Sequence, residues 1–164
     1  MSELAAERLR KLLFYDPLTG DWTWLNPPGK RWKRGDKAGR RTVFGYWDIG
    51  IDKKRYRSAR LAFFYINGVW PNHFMDHIDG NPDNDRWSNL REATSSQNAA
   101  NARKPNSNTS GFKGVSWARN ERKWVAQVKL RGKHINCGYF NDPQAAHAAY
   151  LEAAKRVFGE FAHA

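Results

Sequence analysis

Residues 75–98 constrain the fold of this chain most, because extended segments, a polar turn and a helix signal follow one another within them. Residues 74–78 are predicted as a strand and residues 79–84 as a turn-rich loop. Residues 90–94 then return as a second strand, and a helix is predicted over residues 95–103 with Thr94 or Ser95 as its N-cap. This order of elements brings the end of the first strand against the first turn of the helix.

Three polar side chains of this stretch are therefore expected to converge, namely those of Asp76, His77 and Asn98. Phosphodiester hydrolysis needs a water nucleophile and charge neutralisation on the phosphate and leaving oxygen, and a divalent cation supplies the neutralisation. Hard cations prefer carboxylate and carbonyl oxygens, while histidine accepts a proton near neutral pH. Strand neighbours point to opposite faces, however, so Asp76 and His77 share a site only if the strand end twists.

Two other interpretations of the stretch fit less well. Residues 79–83 begin like a calcium-binding loop, but Asn84 replaces the required glycine and Leu90 stands where the bidentate glutamate belongs. Turn formation explains these residues better. A serine hydrolase would need a Gly-x-Ser-x-Gly elbow, which the sequence lacks.

The charge of the chain favours a polyanionic partner. The 164 residues carry a formal net charge of +12, and eight of them are tryptophan. Such a field attracts nucleic acid. Residues 26–39 form a basic loop that is either solvated or laid along a phosphate backbone, and Trp32 within it favours contact. The residues of this loop that we predict to bind DNA are Lys30, Arg31, Lys33 and Arg34.

The elements before the central stretch follow from local patterns. Ser2 is predicted to cap a helix over residues 3–14, and residues 22–25 form a short strand. Residues 46–51 and 55–58 are predicted to pair as a hairpin. An apolar helix over residues 61–66 then ends at Asn67-Gly68.

Residues 104–111 have the composition of a linker and divide the chain into two predicted domains, residues 1–103 and residues 112–164. Beyond the linker, three strands are followed by an alanine-rich helix that Asp142-Pro143 opens. We therefore predict an α+β protein in which a small three-stranded sheet with one helix follows a larger N-terminal domain.

The pattern D-H-I-D-G-N…N-L-R…A-T…Q-N resembles the HNH endonuclease motif in its His-Asn-Asn form, as found in phage and intron-encoded homing nucleases. The resemblance implies a ββα-metal finger at about residues 74–103. It further implies His77 as general base, Asp76 and Asn98 as metal ligands, and Asn89 as the residue that fixes the loop. Ala59 departs from the family, whose members usually have histidine there.

The pattern S-G-F-K-G-V-S-W…K-W-V-A-Q-V…C-G-Y-F-N-D-P-Q-A-A-H-A-A-Y resembles the DNA-binding domain of plant ethylene-response factors, the APETALA-2 type. In that family a three-stranded sheet lies in the major groove and a helix packs behind it. The resemblance implies that the following residues lie on or near the DNA face: Lys113, Gly114, Ser116, Arg119, Trp124, Gln127 and Lys129.

These observations predict a metal-dependent DNA endonuclease of homing type, with DNA targeting by the C-terminal domain. The implied cofactor is one divalent ion, Mg²⁺ first and Mn²⁺ second, and the partner is double-stranded DNA. The alternative is a non-catalytic DNA-binding regulator on a degenerate HNH scaffold, and an RNA partner stays open on charge alone. We expect a cytoplasmic protein, in the bacterial host if phage-encoded, without membrane association and with a monomer favoured.

Overall fold

The computed structural model describes residues 4–102, 104 and 108–162, which fall into two units, Met1–Glu92 and Ala93–Ala164. The predicted cap Ser2, the helix end at Arg103 and residues 105–107 of the predicted linker lie outside the described residues. The units divide after Glu92, whereas the sequence suggested an end of the first domain at residue 103. The predicted domain organisation stays a prediction.

The first unit combines short helices with small antiparallel sheets. Its helices are α1 (Ala6–Leu12) and α2 (Ser58–Asn67). Its strands are β1 (Leu13–Tyr15), β2 (Trp22–Trp24), β3 (Arg40–Arg41), β4 (Trp47–Ile51), β5 (Lys54–Arg57) and β6 (Phe74–His77). Strand β1 pairs with β2, strand β4 lies between β3 and β5, and β6 pairs with β7 (Leu90–Ala93), whose last residue begins the second unit.

The predicted helix over residues 3–14 was wrong at its C-terminal end. Helix α1 ends at Leu12, and the chain continues as strand β1. Leu13 pairs with Trp24 and Tyr15 pairs with Trp22, and all four side chains are buried. Burial of this cross-strand cluster outweighs the helical periodicity that continued through residue 13.

The predicted hairpin and second helix are confirmed. Asp52 and Lys53 both have positive φ angles (50° and 64°), as a tight turn between β4 and β5 requires. Helix α2 ends at Asn67, and the left-handed conformation of Gly68 (φ 74°) lets the Gly68 N–H donate to the Phe64 carbonyl. The buried face of α2 joins the core of this unit and includes Ala59, so position 59 serves packing in this chain.

The second unit has its own core. Helix α3 (Ser95–Asn101) begins this unit, and strands β8 (Val115–Ala118), β9 (Lys123–Leu130) and β10 (Lys133–Phe140) form one antiparallel sheet with β9 in the centre. Helix α4 (Pro143–Phe158) follows, and the Asp142 side chain caps it by accepting from the Ala145 N–H at 2.8 Å. The mixture of helices and small sheets confirms the expected fold class in outline.

Gly114 permits close packing of helix and sheet in this unit. Its φ angle is +72°, and a Cβ there would overlap the Tyr150 ring of α4. Ala146, Ala154 and Val128 are buried in the same core. Small residues therefore let α4 lie close to the sheet.

Candidate active site

The loop between β6 and β7 is built around the Asp79 carboxylate. Asp79 Oδ1 accepts from the Asn81 N–H at 2.8 Å, and Oδ2 accepts from Asn84 Nδ2 at 2.6 Å. Burial alone would raise the pKa of Asp79, but the hydrogen bonds from Asn84, Asn81 and Asn89 hold it below its usual range. This network agrees with the interpretation of residues 79–84 as a turn.

Asn89 joins the two ends of this loop. Its Oδ1 accepts from the Asp79 N–H at 3.0 Å, and its Nδ2 donates to Asp79 Oδ1 at 3.0 Å and to the Asn84 carbonyl at 2.7 Å. Its backbone carbonyl also accepts from the Ile78 N–H at 2.9 Å. The side chain is buried and uses both its donor and its acceptor, which is the geometry that a loop-fixing role requires.

Asp76 and His77 are both buried although they are neighbours on strand β6, with exposed fractions of 4% and 7%. Each has a different ionic partner. Asp76 Oδ2 accepts from Arg91 Nε at 2.9 Å, while His77 Nε2 lies 2.8 Å from Asp85 Oδ1. Neighbouring side chains on a strand point to opposite faces, which argued against a shared site. Asp76 and His77 accordingly form two separate buried pairs that are adjacent along the strand.

Asp85 is itself held in place by a hydrogen bond from strand β1. The Tyr15 hydroxyl donates to the Asp85 carbonyl at 2.6 Å. Burial raises the pKa of the Asp85 carboxyl, and the hydrogen bond and positive charge of His77 act in the opposite direction. An ionised Asp85 accepts from Nε2 only when that nitrogen carries the proton, so the pair favours the tautomer in which Nδ1 is the acceptor nitrogen.

An aromatic and cationic group borders His77. The Tyr46 ring centroid lies 6.2 Å from that of His77. The Arg57 guanidinium lies 4.6 Å from the centre of the same Tyr46 ring. Arg57 Nη1 also donates to Asp48 Oδ1 at 2.8 Å. Tyr46 and Arg57 therefore offer a ring and a positive charge beside the buried imidazole.

Sequence reasoning missed Asp85 and Arg91. Asp85 directly follows the predicted turn of residues 79–84 and received no role, and nothing in the local pattern separates it from Asp83. Arg91 was part of the quoted family pattern but received no role. For Arg91 the available signal was a charged residue inside a half-buried strand. Charged residues are rarely buried without a partner.

Asn98 lies on α3 in the second unit. Thr94 caps this helix in a capping box with Gln97, as the sequence had suggested for Thr94 or Ser95. The approach of Asn98 to Asp76 stays a prediction.

The metal ligands implied by the family resemblance fit a hard cation by their chemistry. Within the part of the chain that the structure describes, no three His, Cys, Asp or Glu side chains group as metal ligands. The implied pair is instead one carboxylate, Asp76, and one amide carbonyl, Asn98, and an oxygen-only set suits Mg²⁺ or Mn²⁺. Arg91 bonds the same carboxylate and would share it with a bound ion.

The four predicted DNA-binding residues of the basic loop are exposed. Lys30, Arg31, Lys33 and Arg34 face solvent, whereas Trp32 is half-buried. The loop is tied to β2 because the Gly35 N–H donates to the Trp24 carbonyl at 2.8 Å. Its cations are thus presented by an anchored loop.

The seven predicted DNA-binding residues of the second unit differ in their surroundings. Ser116, Arg119 and Lys129 are exposed and Gln127 is half-buried, whereas Gly114 and Trp124 contribute to packing. The Lys113 ammonium donates to the Ala100 carbonyl, and burial lowers the pKa of Lys113. Among these seven, the exposed residues are the better placed to meet an external ligand.

Comparison with known proteins agrees with the motif in the central stretch. Residues 57–100 match the HNH endonuclease family, so an HNH endonuclease domain lies in this part of the chain. The chain is also similar to "Protein 3.8" of Escherichia phage T7, with 46% identity over 71 residues, which are 43% of this chain and 59% of that protein. No solved structure gives a significant match. No helix among residues 4–102, 104 and 108–162 combines the length and apolar character needed to cross a membrane.

Proposed function

We propose that this chain is a metal-dependent DNA endonuclease that hydrolyses phosphodiester bonds with His77 as general base. The observation that carries this proposal is the buried His77–Asp85 pair within the segment that matches the HNH endonuclease family. A histidine whose tautomer and ring position are fixed by a carboxylate is the arrangement that general-base catalysis uses.

The proposed reaction begins when Nδ1 of His77 takes a proton from water as the water oxygen bonds to phosphorus. The bond between phosphorus and the leaving sugar oxygen then breaks, and that oxygen gains a proton from solvent. Asp85 stabilises the imidazolium formed in this step because its carboxylate lies 2.8 Å from Nε2. Asp85 therefore acts as a positioning residue through His77.

Asp76 and Asn98 would hold the divalent ion, with Mg²⁺ favoured and Mn²⁺ possible as a replacement. When bound, the ion would supply charge neutralisation at the scissile phosphate and at the leaving oxygen. Asn89 contributes by fixing the loop through its bonds to Asp79 and Asn84.

DNA targeting is assigned to the basic loop and the second unit. The support is the net charge of +12 together with the exposure of Lys30, Arg31, Arg119 and Lys129. The family match ends at residue 100, so an APETALA-2 role for residues 112–164 rests on their sequence pattern alone. The protein named Protein 3.8 shares only part of its length with this chain, and the homing role of the chain is likewise a proposal.

A non-catalytic DNA-binding regulator is the second candidate. The observation that favours it is the ion pair of Arg91 with Asp76, because the guanidinium engages the carboxylate that a metal would need. This candidate predicts tight, salt-sensitive DNA binding with no strand scission.

Supercoiled plasmid incubated with the full chain and Mg²⁺ separates the two candidates. The endonuclease converts plasmid to nicked or linear DNA, and a chelator stops the conversion. Binding without conversion, with Mg²⁺ or Mn²⁺ present, would instead support the regulator. Competition between duplex DNA and duplex RNA in the same assay identifies the nucleic acid.

A further inference from the structure

A cavity lies in the first unit, apart from His77 and its partners. Its volume is about 290 Å³, near the lower end of ligand pockets in proteins. It forms where the basic loop passes over the sheet β3–β4–β5. The lining residues that carry the argument are Trp24, Arg31, Trp32, Arg40, Gly50 and Arg55.

The floor of this cavity is the face of the sheet that points away from the core. Ile49 and Ile51 of β4 are buried, so Asp48 and Gly50 occupy the opposite face. Gly50 leaves this floor open, because a Cβ built there meets only the Lys54 carbonyl oxygen, at 4.0 Å. A larger side chain at Gly50 would therefore fill the cavity without a close contact to backbone.

Arginines flank the floor on both sides. In the sheet register Arg40 lies opposite Asp48, and Arg55 lies opposite Gly50. Asp48 is already bonded to Arg57 at 2.8 Å. Among the described residues, neither Arg40 nor Arg55 forms an ion pair with a carboxylate. The cavity therefore has an excess of positive charge, which suits an anion.

Two indole side chains complete the lining. The Arg31 guanidinium lies 5.0 Å from the centre of the Trp32 ring, which makes a cation–π pair over the cavity. Trp24 is 3% exposed, and its indole Nε1 is buried without a hydrogen-bond partner.

The cavity is linked to the candidate active site through side-chain contacts. Asp48 in its lining bonds Arg57, Arg57 lies over Tyr46, and the Tyr46 ring lies 6.2 Å from that of His77. These contacts place the cavity and His77 on the same side-chain network of the first unit.

We propose that this cavity binds one nucleotide of unpaired DNA, with the base against Trp32 and the phosphate on Arg40 and Arg55. Aromatic faces with interleaved arginines are the surface on which unpaired bases stack, with little sequence preference. A base inside a duplex is stacked and paired and so cannot enter. The single-nucleotide volume and the adjoining open floor distinguish this site from a flat surface that follows duplex phosphates.

Binding of a labelled oligothymidine to the full chain, followed by fluorescence anisotropy in chelator, tests the proposal without cleavage. Gly50→Leu and Arg55→Gln are each expected to weaken binding about tenfold, as loss of one stacked or clamped nucleotide would. Lys54→Gln is the matched control, because it removes the same charge from a neighbouring residue that does not line the cavity. It should change affinity by less than about twofold.

Three outcomes would overturn the proposal. The first is unchanged oligothymidine affinity of a folded Gly50→Leu variant, and the second is an equal loss of affinity in Lys54→Gln and Arg55→Gln. The third is displacement of the oligonucleotide by polyglutamate with the same dependence on these residues. Melting by circular dichroism verifies folding, and the exposed Arg55→Gln decides alone if Gly50→Leu does not fold. Competition by thymidine monophosphate tells a site for free nucleotides from one for nucleotides within a strand. Because no cleavage is measured, this result is independent of the nuclease assignment.

Discussion

His77 Nε2 lies 2.8 Å from Asp85 Oδ1, and both side chains are buried. The carboxylate contacts the imidazole at Nε2, and the Tyr15 hydroxyl in turn donates to the Asp85 backbone carbonyl. The relationship joins the candidate base to the core of the first unit. It also gives the mechanism a residue that acts through His77 and can be changed on its own.

Asp85→Asn is expected to lower the cleavage rate about 100-fold, because the amide no longer fixes the tautomer or stabilises the imidazolium. DNA affinity in chelator should stay unchanged. Asp83→Asn is the control, since Asp83 lies in the same loop and pairs with Arg41 at 3.3 Å. Single-turnover cleavage and anisotropy measure the two quantities; equal rates for both variants would remove Asp85 from the mechanism.

The same substitution predicts a pH-dependent change in stability. Burial raises the folded-state pKa of Asp85 above its ordinary value of 3.8. The ionised carboxylate therefore costs stability at neutral pH, and that cost disappears as pH falls through the raised folded-state pKa toward 3.8. Asp85→Asn should have the higher urea midpoint at pH 7, with the difference shrinking on acidification. A difference that grows on acidification would contradict the assigned direction.

Arg91→Met removes the guanidinium from the buried carboxylate of Asp76, and we expect a loss of about 3 kcal/mol in unfolding free energy. Adding Asp76→Asn should recover much of this loss, because the buried negative charge that lost its guanidinium is then gone. Arg156→Met breaks the exposed Arg156–Glu152 pair and should cost less than about 0.5 kcal/mol. Urea titrations measure the unaltered chain, Arg91→Met, Asp76→Asn, their double variant and Arg156→Met. Strictly additive effects of Arg91→Met and Asp76→Asn would mean that the pair is not coupled.

Gly114→Ala tests the close packing of the second unit. Gly114 and Gly132 both have positive φ angles, +72° and +81°, so alanine strains the backbone at either position. Only at Gly114 does the added Cβ overlap Tyr150. Gly114→Ala should therefore destabilise by about 2 kcal/mol more than Gly132→Ala. Similar melting temperatures for the two variants would show that α4 is not held against this glycine.

Elements with local signals were predictable from the sequence. The left-handed Gly68 after α2, the two positive-φ residues between β4 and β5, and the caps Thr94 and Asp142 each stabilise structure through neighbours in sequence. These caps and turns are predicted correctly from sequence because the contacts that determine them span only a few residues. The roles assigned to the motif residues Asp76, His77 and Asn89 stay predictions.

Features decided by tertiary contacts were not predictable in the same way. Helix α1 ends early because Leu13 and Tyr15 pair with buried tryptophans. The partner of His77 is one of several acidic residues in the loop, and only the folded backbone brings Asp85, rather than Asp83, to Nε2. Burial and residue pairing across the fold determine where α1 ends and which aspartate contacts His77. The local sequence pattern does not contain that information.

Plasmid cleavage by matched histidine variants tests the central claim most directly. His77→Ala removes the proposed base, whereas His73→Ala changes an exposed histidine close by in sequence. With Mg²⁺ and equal DNA affinity, His73→Ala should cleave like the unaltered chain, and His77→Ala should be slower by about 100-fold or more. Equal cleavage by the two variants, or no cleavage by the unaltered chain with Mg²⁺ or Mn²⁺ across many DNA substrates, would contradict the assignment.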